Sequence, residues 1–287
     1  MPTQVDVLSP KLAEQVLTKL GLVAPPPITL AGLDGIYNAW CRRVPFDNVR
    51  KLIHVNANDP GVLPGDQPAE FFENWLKHGA GGTCWSGNGA LCALLASLGF
   101  AVSRGVATML VAPNLPPNHG TVIVHIDGVD YMVDASILHS RPLRLQQNAD
   151  EAIDNPAWGV HAHRHDDKWI VTWKHAGRPE GFDCRLEYVG ASAQEFSERH
   201  ADTRGWSPFN YEAAVRLIKG ATVIGLWQGQ RFEIDSTGKF SSEQINDAQR
   251  RQFLIDQIGM HEELVRHLPT DRPTPPPPGS ETARRAE

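Results

Sequence analysis

Residues 79–99 read GAGGTCWSGNGALCALLASLG, and the fold is decided by how this stretch changes character part-way along. Glycines at 79, 81 and 82 open a loop, after which Leu91, Leu94, Leu95 and Leu98 recur at helical spacing up to Gly99. Cys84 therefore falls at a loop-to-helix junction. A cysteine is an effective nucleophile as its thiolate, which a cationic histidine or a helix N-terminus favours near neutral pH. The Gly81-Gly82 pair lets the backbone approach closely, and the helix that follows turns its free N–H groups toward the loop. A small apolar residue would also suit this position, so the partners of Cys84 carry the argument.

Downstream the pattern switches to period two over 102–111, 121–126 and 129–133, the last two joined by the hairpin signal Asp127-Gly128. His119 precedes the second of these strands and Asp134 closes the third. The hairpin sets Thr121 beside Asp134, so His119 and Asp134 can meet, giving the base and the orienter that a cysteine nucleophile requires. Further strands are expected at 169–173, 183–189, 221–227 and 231–235, the last pair turning at Gln228-Gly229.

Upstream the periodicity is helical. Leu12, Val16, Leu17 and Leu20 mark a helix over 9–21, and a Pro25-Pro26-Pro27 break follows. Thr29 caps a second helix through Leu33, Ile36, Tyr37 and Trp40, and a third over 68–78 presents Phe71, Phe72, Trp75 and Leu76. A closing helix is expected over 242–259 on Ile245, Phe253, Leu254 and Ile258. The order is helices, then an antiparallel sheet or barrel, then a mixed end.

Six of the 19 residues over 269–287 are proline and none is large and apolar, so that tail should be disordered or extended. Lys plus Arg number 27 against 33 Asp plus Glu, which argues against a nucleic-acid partner. No secretory pattern opens the chain and no apolar run approaches the roughly 20 residues needed to cross a bilayer, so a cytoplasmic protein without a membrane partner is expected. The four cysteines at 41, 84, 92 and 184 have neither the density nor the spacing of a disulfide framework or a zinc site. Cys92, on the apolar helix, reads as core.

With these residues in place the chain resembles the arylamine N-acetyltransferase family, whose cysteine lies in a Gly-Gly-x-Cys segment opening a helix, with His and Asp on the following strands. The likeness extends to residues 29–49, which end in Pro45-Phe46-Asp47-Asn48, to Asn88, to Ser207-Pro208-Phe209 and to the closing helix at 253–259. The resemblance implies an α+β fold: a helical domain over 1–82, an antiparallel β-barrel over 83–200 carrying the Cys-His-Asp site, an α/β lid over 201–268 and a disordered Pro-rich tail over 269–287. It also implies a ping-pong reaction in which Cys84 takes an acyl group, usually acetyl from acetyl-CoA, and passes it to an arylamine, hydrazine or N-hydroxyarylamine. His119 would be the base, Asp134 its orienter, and N–H groups at the start of the cysteine helix the oxyanion donors. Phe46, Trp85, Asn88 and Ser136 would belong to the substrate pocket, with Trp40 and Trp158 as further aromatic candidates. No metal is implied, and the oligomeric state is left open.

Three positions depart from the family pattern. Ala80 stands where the family commonly has Arg, Ser86 where it has Glu, and Asp134-Ala135-Ser136-Ile137-Leu138 lacks the family's glycines after the aspartate, which bears on use of ordinary acetyl-CoA. A transglutaminase-like or papain-like hydrolase, an amide synthase and a catalytically silent scaffold remain as alternatives; the Pro45-Phe46-Asp47-Asn48 block favours the acetyltransferase. Alternate histidines at 161, 163 and 165, followed by Asp166 and Asp167, invite a metal reading, but Arg164 intervenes and a solvated loop between barrel strands is the expectation.

Overall fold

In the computed structural model the described residues are 6–111, 115–146, 149–175 and 178–278. Helix α1 (Pro10–Lys19) starts at Ser9, whose side chain accepts from the Leu12 N–H, and α2 (Leu30–Arg43) starts at Thr29, which accepts from Gly32. After the two-residue strand β1 (Phe46–Asp47) come α3 (Val49–Asn56), α4 (Pro68–His78) and the cysteine helix α5 (Cys84–Ser97). Gly79 ends α4 in a left-handed conformation, the C-terminal glycine stop.

Eight antiparallel strands follow: β2 (Ala101–Met109), β3 (His119–Ile126), β4 (Val129–Val133), β5 (Leu143–Leu145), β6 (Glu151–Ile153), β7 (Val160–His165), β8 (Lys168–His175) and β9 (Arg178–Ala191). Their order is β5-β4-β3-β2-β9-β8-β7-β6, with the end strands β5 and β6 close together, so the sheet is a nearly closed barrel. Ala107, Ile123, Val160, Val171, Phe182 and Leu186 fill its interior. Helix α6 (Ala193–Asp202) then leads to a second sheet of β10 (Val215–Lys219), β11 (Thr222–Trp227), β12 (Gln230–Ile234) and β13 (Phe240–Gln244), with β1 added at its edge beside β10. Helix α7 (Asp247–Phe253) runs into a π-helical turn at Leu254–Ile258, and α8 (Glu262–Val265) closes the regular structure.

The regions interlock. Leu91, Leu94 and Leu95 of α5 share one core with Tyr37 and Trp40 of α2, Val122 and Val124 of the barrel, and Ile218 and Phe232 of the second sheet. The boundaries expected at 82 and 200 therefore do not separate cores: α5 packs with the helices, and β1 belongs to the C-terminal sheet. Residues 207–209, the Ser-Pro-Phe segment, lead into a short 3-10 turn at Pro208–Asn210.

Several elements differ from the sequence reading. The histidine stretch is strand β7, not a loop: it pairs with β8 through a tight turn at Asp166-Asp167, both at positive φ. Residues 242–244 lie in β13, and the closing helix begins only at Asp247 because Asn246 and Gln249 form a capping box. The short elements α3, α6, β5, β6 and β10 had no strong periodic signal. Of the Pro-rich tail, 269–275 has no helix or strand and is tied down by hydrogen bonds: Arg250 Nη2 donates to Pro269 O at 2.7 Å, Arg272 N to Tyr211 O at 3.0 Å and Trp206 Nε1 to Pro275 O at 3.1 Å. Residues 279–287 lie outside the described residues. Among the described residues no helix is long and apolar enough to cross a membrane.

Candidate active site

Cys84 is the first residue of α5, and Thr83 before it caps the helix with no side-chain bond, leaving first-turn N–H groups of α5 without that partner. The glycines ahead of it answer to close packing. A Cβ at Gly81 would collide with Pro45 O, and one at Gly82 with Ser86 Oγ and the Phe71 ring. The loop is thus pressed against the Pro45-Phe46-Asp47-Asn48 block. Asp47 Oδ2 accepts from Gly81 N at 2.6 Å, Oδ1 accepts from Val49 N at 3.0 Å, and Asp47 N donates to Gly82 O at 3.1 Å.

His119 opens β3, opposite Ala107 of β2, and Asp134 follows β4, whose Val133 pairs with Val122. The hairpin at Asp127-Gly128 sets that register. His119 Nε2 lies 2.7 Å from Asp134 Oδ2, with His119 at 2% and Asp134 at 0% exposure. This leaves Nδ1 for the Cys84 thiol, which also points at Asn118 O across 3.8 Å. Burial alone would lower the His119 imidazole. The Asp134 carboxylate and the Cys84 sulfur, each acting by charge and hydrogen bond, outweigh it and push it up to about 10. Burial pushes Asp134 upward in turn, but the His119 charge and hydrogen bond, with the N–H groups of Ser136 and Ile137 at 2.8 and 2.9 Å on Oδ1, hold it below its ordinary value. The structure thus brings Cys84, His119 and Asp134 together, with the imidazole favoured as imidazolium.

Burial raises Cys41 to about 12, Cys92 to about 11 and Cys184 well above its usual value, so all three are poor thiolates. All four are unpaired.

Two side chains brace the triad. Asn88 is fully buried: its Nδ2 donates to Cys84 O and Gly120 O at 3.1 and 2.6 Å, and its Oδ1 accepts from Ala135 N at 2.9 Å. One amide thus ties the cysteine helix, the histidine strand and the aspartate turn, which is a positioning role and not a pocket lining. Tyr37 has no counterpart in the sequence reading beyond a core position on α2. Its hydroxyl donates to Asp134 O at 2.8 Å and accepts from the N–H groups of Asp134 and His139 at 3.1 and 3.2 Å. A tyrosine on the buried stripe of an amphipathic helix carries no sequence mark of where its hydroxyl ends.

The aromatic pocket candidates scatter. Trp40 is fully buried between Phe71 and Phe72, and Trp85 packs edge-on to Phe196 at 5.1 Å beneath the Arg199 guanidinium. Trp158 stacks under Arg42, while half-buried Phe46 meets Phe209 at 5.3 Å beside the cysteine loop. Ser136 is 6% exposed with its Oγ unpartnered, and Leu138 is buried at positive φ, so side chains fill the turn after Asp134. His161 and His163 stack at 5.7 Å. Among the described residues the three-member group with metal-ligand spacing is elsewhere, at His78, His261 and Glu263, and His261 Nδ1 there already accepts from Glu263 N.

A family model described as N-acetyltransferase matches residues 29–253, more than half of the chain and every residue of the triad. The chain belongs to that family. An arylamine N-acetyltransferase from Mycolicibacterium smegmatis is 31% identical over 141 residues, 45% of this chain and 49% of that protein, so the match spans about half the length of this relative. The arylamine N-acetyltransferase structure from Mycobacterium abscessus superposes with a TM-score of 0.75 at 16% identity, covering 89% of this chain and 92% of the other. That from Mycobacterium marinum in complex with CoA gives 0.74 at 15% identity over 88% and 96%. The N-acetyltransferase fold is thus common to chains whose sequences have drifted far apart.

Proposed function

We propose that this N-acetyltransferase-family chain is an acyltransferase that carries an acetyl or other acyl group from a CoA thioester to an arylamine, hydrazine or N-hydroxyarylamine through a thioester on Cys84. The observation that carries the reading is the 2.7 Å bond from His119 Nε2 to Asp134 Oδ2 beside the Cys84 thiol. In the first half-reaction the Cys84 thiolate attacks the donor carbonyl carbon and the C–S bond to CoA breaks. The imidazolium of His119 then gives its proton to the departing CoA sulfur. In the second, the amine attacks the acyl-Cys84 carbonyl, His119 takes the amine proton and the Cys84 C–S bond breaks, restoring the thiolate and the imidazolium. Uncapped N–H groups in the first turn of α5 are the candidates for stabilising the oxyanion of both tetrahedral intermediates.

CoA is a substrate in this scheme. The closed turn at Ser136-Ile137-Leu138 bears on acyl chain length and on how the pantetheine arm approaches. The test is intact mass after incubation with acetyl-CoA or p-nitrophenyl acetate. A single acetyl addition is expected on the native chain and none on Cys84→Ala. Modification by larger acyl thioesters alone would replace the acetyl donor while keeping the thiol chemistry. No adduct with any thioester, together with failure of iodoacetamide to label Cys84, would end the catalytic reading. Amine product exceeding free acid separates transfer from hydrolysis.

A further inference from the structure

The end of α4 and the start of α8 bring two histidines and a carboxylate together, apart from the triad. Helix α4 stops at His78 because Gly79 turns left-handed at φ 73°, and a Cβ at Gly79 would collide with Gly259 O. The two segments therefore pack backbone to backbone, and His261 N donates to His78 O at 2.8 Å. Met260 and Val265, which flank His261 and Glu263, are buried in the core of the C-terminal region. The chain beneath these side chains is thus fixed. His78 is half-buried, while His261 and Glu263 are exposed and leave a way in for an ion.

One ligand atom from each of the three lies within 4.8 Å of those of the other two, and the two imidazole rings stand 6.2 Å apart. A tetrahedral zinc ion, about 2.0–2.2 Å from nitrogen and carboxylate oxygen, sets its ligand atoms about 3.4 Å apart. Closure from 4.8 Å needs about 1.4 Å of approach, which rotation of two exposed side chains supplies. His78 Nδ1 is shut off from water without a hydrogen-bond partner. The negative end of the α4 dipole, at His78, favours a cation at this place. We propose that His78, His261 and Glu263 form a site for one divalent ion of the zinc class, held by the three side chains with water in the fourth position and clasping the start of α8 to the end of α4. Two imidazoles and one carboxylate suit Zn²⁺ and its neighbours and not the oxygen shells of Mg²⁺ or Ca²⁺.

Coordination takes a lone pair from each imidazole. Burial first, then the Lys77 charge, and further His261 and Arg50, hold His78 below the usual histidine range against the pull of Glu263, so its ring is neutral at neutral pH. Arg50 is itself paired with Glu70, which leaves Lys77 as the cation opposing the metal. His261 spends its Nδ1 lone pair on Glu263 N at 3.2 Å, a long hydrogen bond. Metal binding gives that bond up, exchanging the side-chain cap of α8 for a tie to α4. The site shares no residue with the acyl-transfer scheme and stands or falls apart from it.

Calorimetric titration with Zn²⁺ tests it, on the full-length Cys84→Ala chain so that this thiol cannot take the metal. One ion per chain is expected. His261→Asn keeps a side chain able to cap α8 and removes the imidazole; it and His78→Gln should each weaken binding by more than about tenfold. Cobalt in place of zinc should give the intense visible absorption of tetrahedral coordination, and His261→Asn should abolish it. Zn²⁺ should also raise the Tm, each variant being compared with itself in chelator, so that a change in metal-free stability does not enter. In His261→Asn that rise should vanish. Undiminished binding in His261→Asn overturns the proposal, and so does loss of the site in His163→Gln alone, which would put the metal on the stacked histidines of β7. Absence of both heat and Tm shift in excess zinc overturns it as well.

Discussion

At the level of single residues the arrangement of Cys84, His119 and Asp134 is held by side chains outside it. Tyr37 gives the Asp134 backbone both a donor and an acceptor, and the neighbouring His139 N–H shares the same oxygen. Tyr37→Phe keeps the ring packing and removes only that oxygen, leaving two buried N–H groups and one carbonyl without it. The expected cost is about 1–3 kcal/mol of unfolding free energy by urea denaturation, with a slower rate of Cys84 alkylation as the aspartate turn loosens. A Phe variant with native stability and native alkylation would show that the turn holds itself. The grouping of Cys84, His119 and Asp134 was legible because these side chains are reactive or ionisable by type and the Asp127-Gly128 hairpin fixes the register of His119 against Asp134. Tyr37 and Asn88 were not legible in these roles, since a buried tyrosine or asparagine looks the same in sequence whether its polar atoms meet a core carbonyl or the turn at Asp134.

Among elements, the joint that matters is Pro45-Phe46-Asp47-Asn48, where strand β1 adds to the C-terminal sheet while Asp47 holds the cysteine loop. Asn48 completes it: Nδ2 donates to Phe209 O and Glu212 O at 3.0 and 2.7 Å, and Oδ1 accepts from Ala214 N at 2.8 Å. Burial pushes the Asp47 carboxyl up to about 6 against the pull of its two N–H partners and Arg50. A carboxyl raised in the native state binds its proton more tightly when folded, so its stabilising contribution is full below the unfolded value near 3.8 and is lost as pH rises through about 6. Asp47→Asn has no proton to lose. Its stability relative to the native chain is therefore expected to improve between pH 4 and 7 by on the order of 2–3 kcal/mol, whatever the constant cost of the lost acceptor. Urea midpoints at both pH values check this, and a constant difference would place the ionisation elsewhere. The same scale explains the misread elements. The β7–β8 turn uses Asp166-Asp167 in place of a glycine pair, and the charged, alternating 161–165 stretch exposes one face of a barrel wall. Helix periodicity ran past Asn246 into β13 because Ile245 extends the apolar stripe on the wrong side of the cap.

For the molecule as a whole, three regions expected from the sequence share cores, and the chain's end adds a further link. The run after Leu268 is bound to α7 through Arg250, which is 3% exposed and paired with both Asp247 and Asp271. Asp271 also accepts from Ala213 N at 2.9 Å, just before β10. Composition reads this run as disordered or extended, yet a proline-rich segment can still be held by polar contacts to a folded surface. Removing one partner of a buried pair leaves the other charge uncompensated, a loss of about 3–5 kcal/mol when no second partner remains. Arg250 keeps Asp247, so Asp271→Ala is expected to cost less, on the order of 1–3 kcal/mol, and truncation after 268 at least as much because the Pro269, Arg272 and Pro275 contacts go too. Thermal denaturation of both variants measures it. Cys84 alkylation should be unchanged in both at temperatures well below unfolding, since the hydrogen bonds of the strap go to α7 and to the segment before β10. A fall in alkylation that tracks the loss of stability would instead mean that order in the C-terminal region reaches the cysteine loop through β1, where Phe46 lies between Arg216 of β10 and Gly82.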